Sequence, residues 1–191
     1  MLEKRRHQRV RFDDPLPMNV GHRGERATCG LENLSLGGLM FRSTLQLTVG
    51  ETIGCEFSVF ESPLIDIVAT VTSRVGNGLY GARFEAGPMS QHLVEDAINN
   101  AIYRGKATVL SIHDLAEGKI MRIAGGLSAA TRNDFLHGVA RVGVIDIDLS
   151  EVTAIDEEGV SLVALAATQY KLPLSRRSPC IDAIWHRVSA A

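Results

Sequence analysis

The chain has 191 residues, of which 45% are hydrophobic and 22% are charged, a composition typical of soluble globular proteins. This length allows one large domain or two small ones. The net charge of -2 argues against a protein whose whole surface binds nucleic acid or a membrane.

The cysteines and the apolar runs narrow the class of protein further. Three widely spaced cysteines, Cys29, Cys55 and Cys180, favour reduced thiols over a disulfide framework or a zinc site. No apolar run is long enough to span a bilayer, and no signal peptide follows the basic start. The sequence therefore predicts a cytoplasmic protein with no membrane insertion and no bound metal.

The first predicted element is a basic segment. Residues 1–11 contain five Lys or Arg against one Glu. Arg5 and Arg9 form an RxxxR pattern, with Arg6 and Arg11 beside them. Such a segment suits an anionic ligand, and its low apolar content predicts that it becomes ordered only when the ligand binds.

Residues 14–84 predict a small β-barrel or sandwich. Short runs that alternate in polarity or are β-branched are separated by Gly, Pro and Asn, as at residues 76–78. Between residues 90 and 104 the apolar residues recur every three or four positions, which predicts an amphipathic helix. Gly105 is a plausible stop for that helix.

A polar motif, Asn33-Leu34-Ser35-Leu36-Gly37-Gly38, lies inside the predicted β region. In this NxSxxG pattern the Asn33 amide both donates and accepts, and Ser35 adds a hydroxyl. Gly38 allows a close approach of the backbone. The forked guanidinium groups of the nearby arginines can pair bidentately with phosphate.

The RxxxR pattern, followed by NxSxxG in a β region with a closing helix, resembles the PilZ family of bacterial cyclic di-GMP receptors. The resemblance implies an antiparallel β-barrel with a C-terminal helix over residues 1–106. It also implies cyclic di-GMP as the ligand, with no cofactor. The binding residues it implies are Arg5, Arg6, Arg9, Asn33, Ser35 and Gly38. Asn33 stands where the family often has Asp, which removes one charge from the site.

Residues 107–191 predict alternating strands and helices, typical of an α/β domain. Strands are predicted at residues 107–112, 119–123, 144–149 and 172–174, and helices at 129–141, from 157 onward and at 180–188. Gly125-Gly126 is predicted to turn the chain, and Trp185 to pack the last helix against the sheet. Helix N-caps are expected at Ser128, Asp156 and Ser178.

This half resembles the STAS family, which includes anti-sigma-factor antagonists, in residues 126–131 (GLSAAT) and 148–160 (DLSEVTAIDEEGV). The resemblance implies a STAS-like α/β domain over residues 107–191 that contacts a protein partner. In STAS antagonists a phosphorylated Ser follows the Asp that corresponds to Asp156, and here that position is Glu157. Glu157 either imitates a phosphorylated serine or is an ordinary first-turn acid, and we favour the second interpretation.

The sequence does not support catalysis, since it lacks HExxH, GxSxG and Walker motifs. We expect a two-domain signalling receptor, not an enzyme, that binds cyclic di-GMP and relays the signal to a protein partner, with homodimerisation left open. The alternative is an interaction or dimerisation module with a degenerate barrel that binds no nucleotide. Nucleic-acid binding is disfavoured because residues 12–106 contain seven Lys or Arg against eleven Asp or Glu.

Overall fold

The computed structural model describes residues 9–185. The chain divides into two compact units, Met1–Asn100 and Ala101–Ala191. Arg5 and Arg6, two of the predicted binding residues, lie outside the described residues. The two units are taken in turn.

Unit 1 contains a closed antiparallel barrel, which confirms the predicted fold of the N-terminal half. Its strands follow the order β1-β2-β3-β6-β5-β4, and β4 pairs back with β1. A sheet that closes in this way leaves no edge strand exposed. The strands are β1 (Val10–His22), β2 (Glu25–Ser35), β3 (Gly38–Arg42), β4 (Thr52–Phe57), β5 (Ile65–Arg74) and β6 (Leu79–Phe84).

The barrel is held together by side chains that alternate along each strand. In β5, for example, Ile65, Ile67, Ala69 and Val71 are buried while the residues between them are more exposed, as the period of a half-buried strand requires. Aromatic rings also fill the interior, where the buried Phe41 stacks on Tyr80 with ring centroids 5.7 Å apart. This alternation decides which side chains of the polar motif face outward.

Helix α1 (Pro88–Tyr103) follows the barrel and confirms the predicted amphipathic helix. One face is buried, with Val94, Ala97, Ile98 and Ala101 at its centre. The helix ends before Gly105, whose φ of +67° is readily adopted by glycine.

Unit 2 combines strands and helices in one mixed sheet of order β10-β9-β8-β7. Strands β7 (Ala107–Leu115) and β8 (Gly118–Leu127) form an antiparallel hairpin. Strand β9 (Val144–Ile155) runs parallel to β8, and β10 (Arg176–Arg177) runs parallel to β9. The helices are α2 (Arg132–His137), α3 (Glu157–Thr168) and α4 (Pro179–Asp182), with a 3₁₀ turn at Ala129–Thr131 and a π-helical turn at Gly138–Val142.

The core of unit 2 lies between the sheet and these helices. Ile147 and Leu149 of β9 are fully buried, as are Leu162 and Val163 of α3. Trp185 packs against this cluster, as predicted, and its ring lies 4.3 Å from the Arg177 guanidinium. Because Trp185 is the single tryptophan of the chain, its fluorescence reports on unit 2.

Several expectations for this half were wrong in detail. Gly125 and Gly126 do not turn the chain but form an irregularity inside β8, where the register to β9 shifts. Strand β9 continues to Ile155, six residues beyond its predicted end at Leu149. Residues 172–174 are not a strand, and the short parallel pairing occurs at β10 instead.

The predicted helix starts gave a mixed outcome. Asp156 caps α3, since its Oδ1 accepts from the Gly159 N–H at 2.7 Å. Ser128 and Ser178 occupy N-cap positions, but neither side chain makes a capping hydrogen bond. The helix predicted over 129–141 is present as one continuous helical stretch, residues 129–142, that passes from 3₁₀ through α to π geometry. The helix predicted over 180–188 is shorter than expected, since α4 ends at Asp182 and residues 183–184 form a turn. Residues 186–188 lie outside the described part of the chain.

No helix among residues 9–185 is both long and apolar enough to cross a membrane.

One buried carboxylate links three neighbouring strands of the unit 2 sheet, β8, β9 and β10. Asp148 of β9 is 3% exposed, and its carboxylate lies 3.3 Å from Arg122 Nη2 and 3.4 Å from Arg176 Nη1. Burial alone would raise the pKa of Asp148. Hydrogen bonds from the Ser150 hydroxyl and N–H, with the charge of Arg122, bring that pKa below its ordinary value of 3.8.

We predict that Gly125→Ala destabilises unit 2 by about 1–3 kcal/mol more than Gly143→Ala does. Both glycines have a positive φ, +88° and +74°, so both substitutions carry similar backbone strain. A Cβ at Gly125 would also overlap the carbonyl oxygen of Ala107, whereas Gly143 has nothing within 4 Å. Denaturant unfolding followed by Trp185 fluorescence measures the difference, and equal midpoints for the two variants would contradict the close approach.

We predict that Asp148→Asn lowers the free energy of unfolding at neutral pH by about 1–3 kcal/mol, because the amide keeps one acceptor oxygen but loses the negative charge that faces Arg122 and Arg176. A carboxylate with a lowered pKa stabilises the fold above its unfolded pKa, and this contribution is lost as pH falls through the folded pKa. The difference in unfolding free energy between wild type and variant should therefore disappear at pH values below 3.8, the ordinary pKa of an aspartate. The measurement is the unfolding midpoint at several pH values, with Glu158→Gln, which breaks a partly exposed pair with Arg132, as the control. If the difference in stability between wild type and Asp148→Asn does not change with pH, the Asp148 charge does not stabilise the fold in this way.

Candidate ligand-binding site

The polar motif lies on the outer face of the barrel, where three neighbouring strands present residues side by side. Arg11 of β1 pairs with Asn33 of β2, and Asn33 pairs with Met40 of β3. Their chain neighbours Leu34 and Leu39 are buried in the interior. Because successive side chains of a strand point to opposite faces, Asn33 and Met40 point outward. A one-residue irregularity between Leu31 and Asn33 sets this register.

Arg9 reaches this row from the residue that precedes β1. Its Nη1 donates to the Met40 thioether sulfur, with the two atoms 3.5 Å apart. The Asn33 Nδ2 donates to the same sulfur at 3.3 Å. The structure thus brings together Arg9 and Asn33, two residues predicted from motifs more than twenty positions apart in the sequence.

The oxygen of the Asn33 amide has an unusual environment. Asn33 Oδ1 is buried and has no hydrogen-bond partner among the described residues. A buried acceptor without a donor costs about 1–3 kcal/mol, so native proteins seldom keep one without a reason. Thioether sulfur is also only a weak acceptor for the amide nitrogen. The Asn33 amide is therefore poorly satisfied on both sides.

Ser35 and Gly38, in contrast, shape the turn between β2 and β3. The Ser35 hydroxyl donates to the Gly38 carbonyl oxygen at 3.1 Å, and Ser35 is 8% exposed. A Cβ at Gly38 would overlap the carbonyl oxygen of Ala82 in β6. The close approach that the motif predicted at Gly38 is thus found within the barrel, between two strands.

A further cation lies near the motif. Arg83 of β6 pairs with Gly38 and is exposed, so it projects from the same outer face as Met40, one diagonal step away. Arg42, by contrast, pairs with Glu32 at 3.0 Å and donates to the Asn77 carbonyl, which agrees with a surface role. Arg9, Arg11 and Arg83 are thus three arginines that lie at or beside the motif.

Met40 and Arg83 were not selected in the sequence analysis. Nothing in their local sequence marks them, because each is an ordinary residue of a short strand. Their positions follow from the pairing of β3 with β2 and β6, and pairing register is set by long-range contacts.

A separate open pocket of about 320 Å³ lies elsewhere on unit 1, lined by Leu16, Pro17, Met18, Asn19, Thr28, Glu56, Phe57, Ser58, Phe60 and Leu64. It includes none of the motif residues. Among residues 9–185, no group of three His, Cys, Asp or Glu is placed to hold a metal ion. The convergence of Arg9 and Asn33 is therefore the better candidate for a ligand site.

Comparison with protein families gives one match, the PilZ domain, over residues 3–104. This range contains the RxxxR pattern, the NxSxxG motif, all of β1 to β6 and α1. The match ends close to the start of unit 2. A comparison with curated proteins found no match.

Several solved structures resemble the N-terminal part of the chain. The PilZ domain of YcgR from Escherichia coli, solved with c-di-GMP, is 18% identical with a TM-score of 0.45, and the match covers 51% of this chain and 91% of that one. The K. pneumonia MrkH–c-di-GMP complex is 17% identical with a TM-score of 0.45, covering 53% and 54%. The Bacillus subtilis inhibitor of motility, MotI/DgrA, is 18% identical with a TM-score of 0.41, covering 52% of each chain. The match thus spans only about half the length of the MotI and MrkH chains.

We predict that Gly38→Ala destabilises the barrel by about 1–3 kcal/mol, because β3 and β6 must separate to admit the methyl group. Gly54→Ala in β4 is the matched control, since a Cβ there meets nothing within 4 Å, and we expect a change within about 1 kcal/mol. Thermal unfolding followed by far-ultraviolet circular dichroism compares the two. A Gly38→Ala protein as stable as the control would show that the glycine serves the ligand alone.

Proposed function

Since the chain belongs to the PilZ family, we propose that it is a cytoplasmic receptor for cyclic di-GMP and that Arg9 and Asn33 hold one guanine of the ligand. PilZ family proteins are cyclic di-GMP receptors and not enzymes, and they bind this ligand without a cofactor. The proposal concerns this chain's own ligand and residues.

The observation that carries the proposal is the convergence of the Arg9 guanidinium and the Asn33 amide on the outer face of the barrel. Guanine presents O6 and N7 as adjacent acceptors, which match the arginine fork, and an exocyclic amino group as a donor. The amino group suits Asn33 Oδ1, which has no donor among the described residues. One base thus offers acceptors to Arg9 and a donor to Asn33.

The remaining motif residues receive two kinds of role in this proposal. Arg5 and Arg6 precede Arg9 by four and three positions, and we assign them to the phosphates and the second guanine, where a fork and a positive charge are both useful. Ser35 and Gly38 hold the turn that carries Asn33 next to Met40. Arg83 adds positive charge on the same face.

Residues 107–191 are proposed as a STAS-like domain that relays the signal to a protein partner, with residues 1–106 as the receptor domain. The mixed four-stranded sheet and the Asp156 cap of α3 support this assignment. Glu157 is exposed in the first turn of α3, where an acid is stabilised by the helix dipole. We therefore propose a domain that no kinase controls at this position, so that regulation comes from the nucleotide.

We predict that Arg9→Ala weakens cyclic di-GMP binding about tenfold to a hundredfold, since a hydrogen bond from a charged group contributes about 1.5–3 kcal/mol. Arg9→Lys should recover little, because an ammonium lacks the fork. Isothermal titration calorimetry of the full chain measures both.

Arg26→Ala is the matched control, since Arg26 is also an exposed arginine of unit 1 but pairs with Glu56 away from the motif. Equal losses for Arg9→Ala and Arg26→Ala would indicate nonspecific attraction. If wild type releases no heat across a range of salt concentrations, the receptor proposal fails. The alternative of an interaction module with a degenerate barrel would then stand.

A further inference from the structure

Met40 occupies the space between the two groups that the proposed ligand would need. Its thioether is the common acceptor of Arg9 Nη1 and Asn33 Nδ2, at 3.5 Å and 3.3 Å. The Met40 side chain is half-buried on the outer face, while its neighbours Leu39 and Phe41 fill the barrel interior. The backbone of Met40 is fixed by pairing to Asn33 on one side and Gly81 on the other.

We propose that Met40 is a cover residue of the site: its side chain fills the guanine position in the ligand-free protein and moves aside when the base enters. This inference rests on the proposed function. It goes beyond that function because it assigns a residue outside both sequence motifs.

The first argument is competition for the same donors. A guanine acceptor that pairs with Arg9 takes the place of the Met40 sulfur, because both face the same guanidinium. Sulfur is the weaker acceptor, so the exchange favours the ligand.

The second argument is access. Asn33 Oδ1 is buried, so a ligand reaches it only if a neighbouring group moves, and the Met40 sulfur is the neighbour that contacts Nδ2 of the same amide at 3.3 Å. Methionine is suited to this because its unbranched side chain has three rotatable bonds and adapts to different packing. A β-branched residue on this strand would be much stiffer.

The proposal predicts a distinct pattern of affinities. Met40→Ala removes both the cover and the competing acceptor, so cyclic di-GMP should bind about threefold to tenfold more tightly, chiefly through a faster association rate. Met40→Leu keeps the volume and removes the sulfur, so it should give a smaller increase. Met89→Ala is the matched control, since Met89 is 73% exposed at the start of α1, and it should bind like wild type.

A direct readout comes from the methyl groups of the five methionines. With ¹³C-methyl methionine, the Met40 resonance is assigned by its loss in Met40→Leu. It should shift in ligand-free Arg9→Ala, where one contact of the sulfur is lost, and shift strongly when wild type is saturated with cyclic di-GMP. The resonance of Met121, which is fully buried in unit 2, should serve as the internal reference.

The test distinguishes this inference from the proposed function. If wild type binds and Met40→Ala binds equally or more weakly with the fold intact, the proposed role of Met40 is wrong, while the receptor proposal stands. The same conclusion follows if the Met40 resonance does not move when wild type is saturated with cyclic di-GMP. If neither protein binds, the receptor proposal fails and the cover fails with it.

Discussion

The barrel depends on the strand pairing at which its sheet closes on itself. Strand β1 pairs with β2 along one edge and with β4 along the other, and this double pairing closes the sheet. An irregularity between Arg11 and Leu16 divides the strand. The part after it pairs with both β2 and β4, and in the part before it Val10 and Arg11 pair with Leu34 and Asn33 near the end of β2. Arg9 and Arg11 are thereby placed next to the strand that carries Asn33.

Closure also explains which features of the candidate site the sequence reveals. The RxxxR and NxSxxG patterns are local, so their residue types and spacing could be recognised directly. That Arg9 and Asn33 meet follows from the pairing of β1 with β2, which the sequence does not state. Met40 and Arg83 enter the site only through register, because a shift of one residue in β3 or β6 would turn either side chain to the other face.

Unit 2 shows where local patterns lose their predictive value. The Asp156 cap was predictable because a cap is a contact between neighbours in sequence. The role of Gly125 and Gly126 was not predictable, because a glycine pair suits both a turn and a close approach of two backbone segments. A Cβ at either position would overlap a carbonyl oxygen, that of Ala107 or Gly105. Which of the two roles a glycine pair has depends on the backbone segment that packs against it, and the sequence does not show that segment.

Helix α1 belongs to both units of the chain. Its residues up to Asn100 belong to unit 1, and Ala101–Tyr103 belong to unit 2. Within unit 2, the Ile102 carbonyl oxygen accepts a hydrogen bond from the Thr153 hydroxyl at 2.9 Å. A break at the end of the family match would sever that contact, and a break at the unit division would cut the helix. Recombination between genes at either position would therefore disrupt the structure. A gene fusion that exchanged the second half would need to preserve this last helical turn and the strand that holds it.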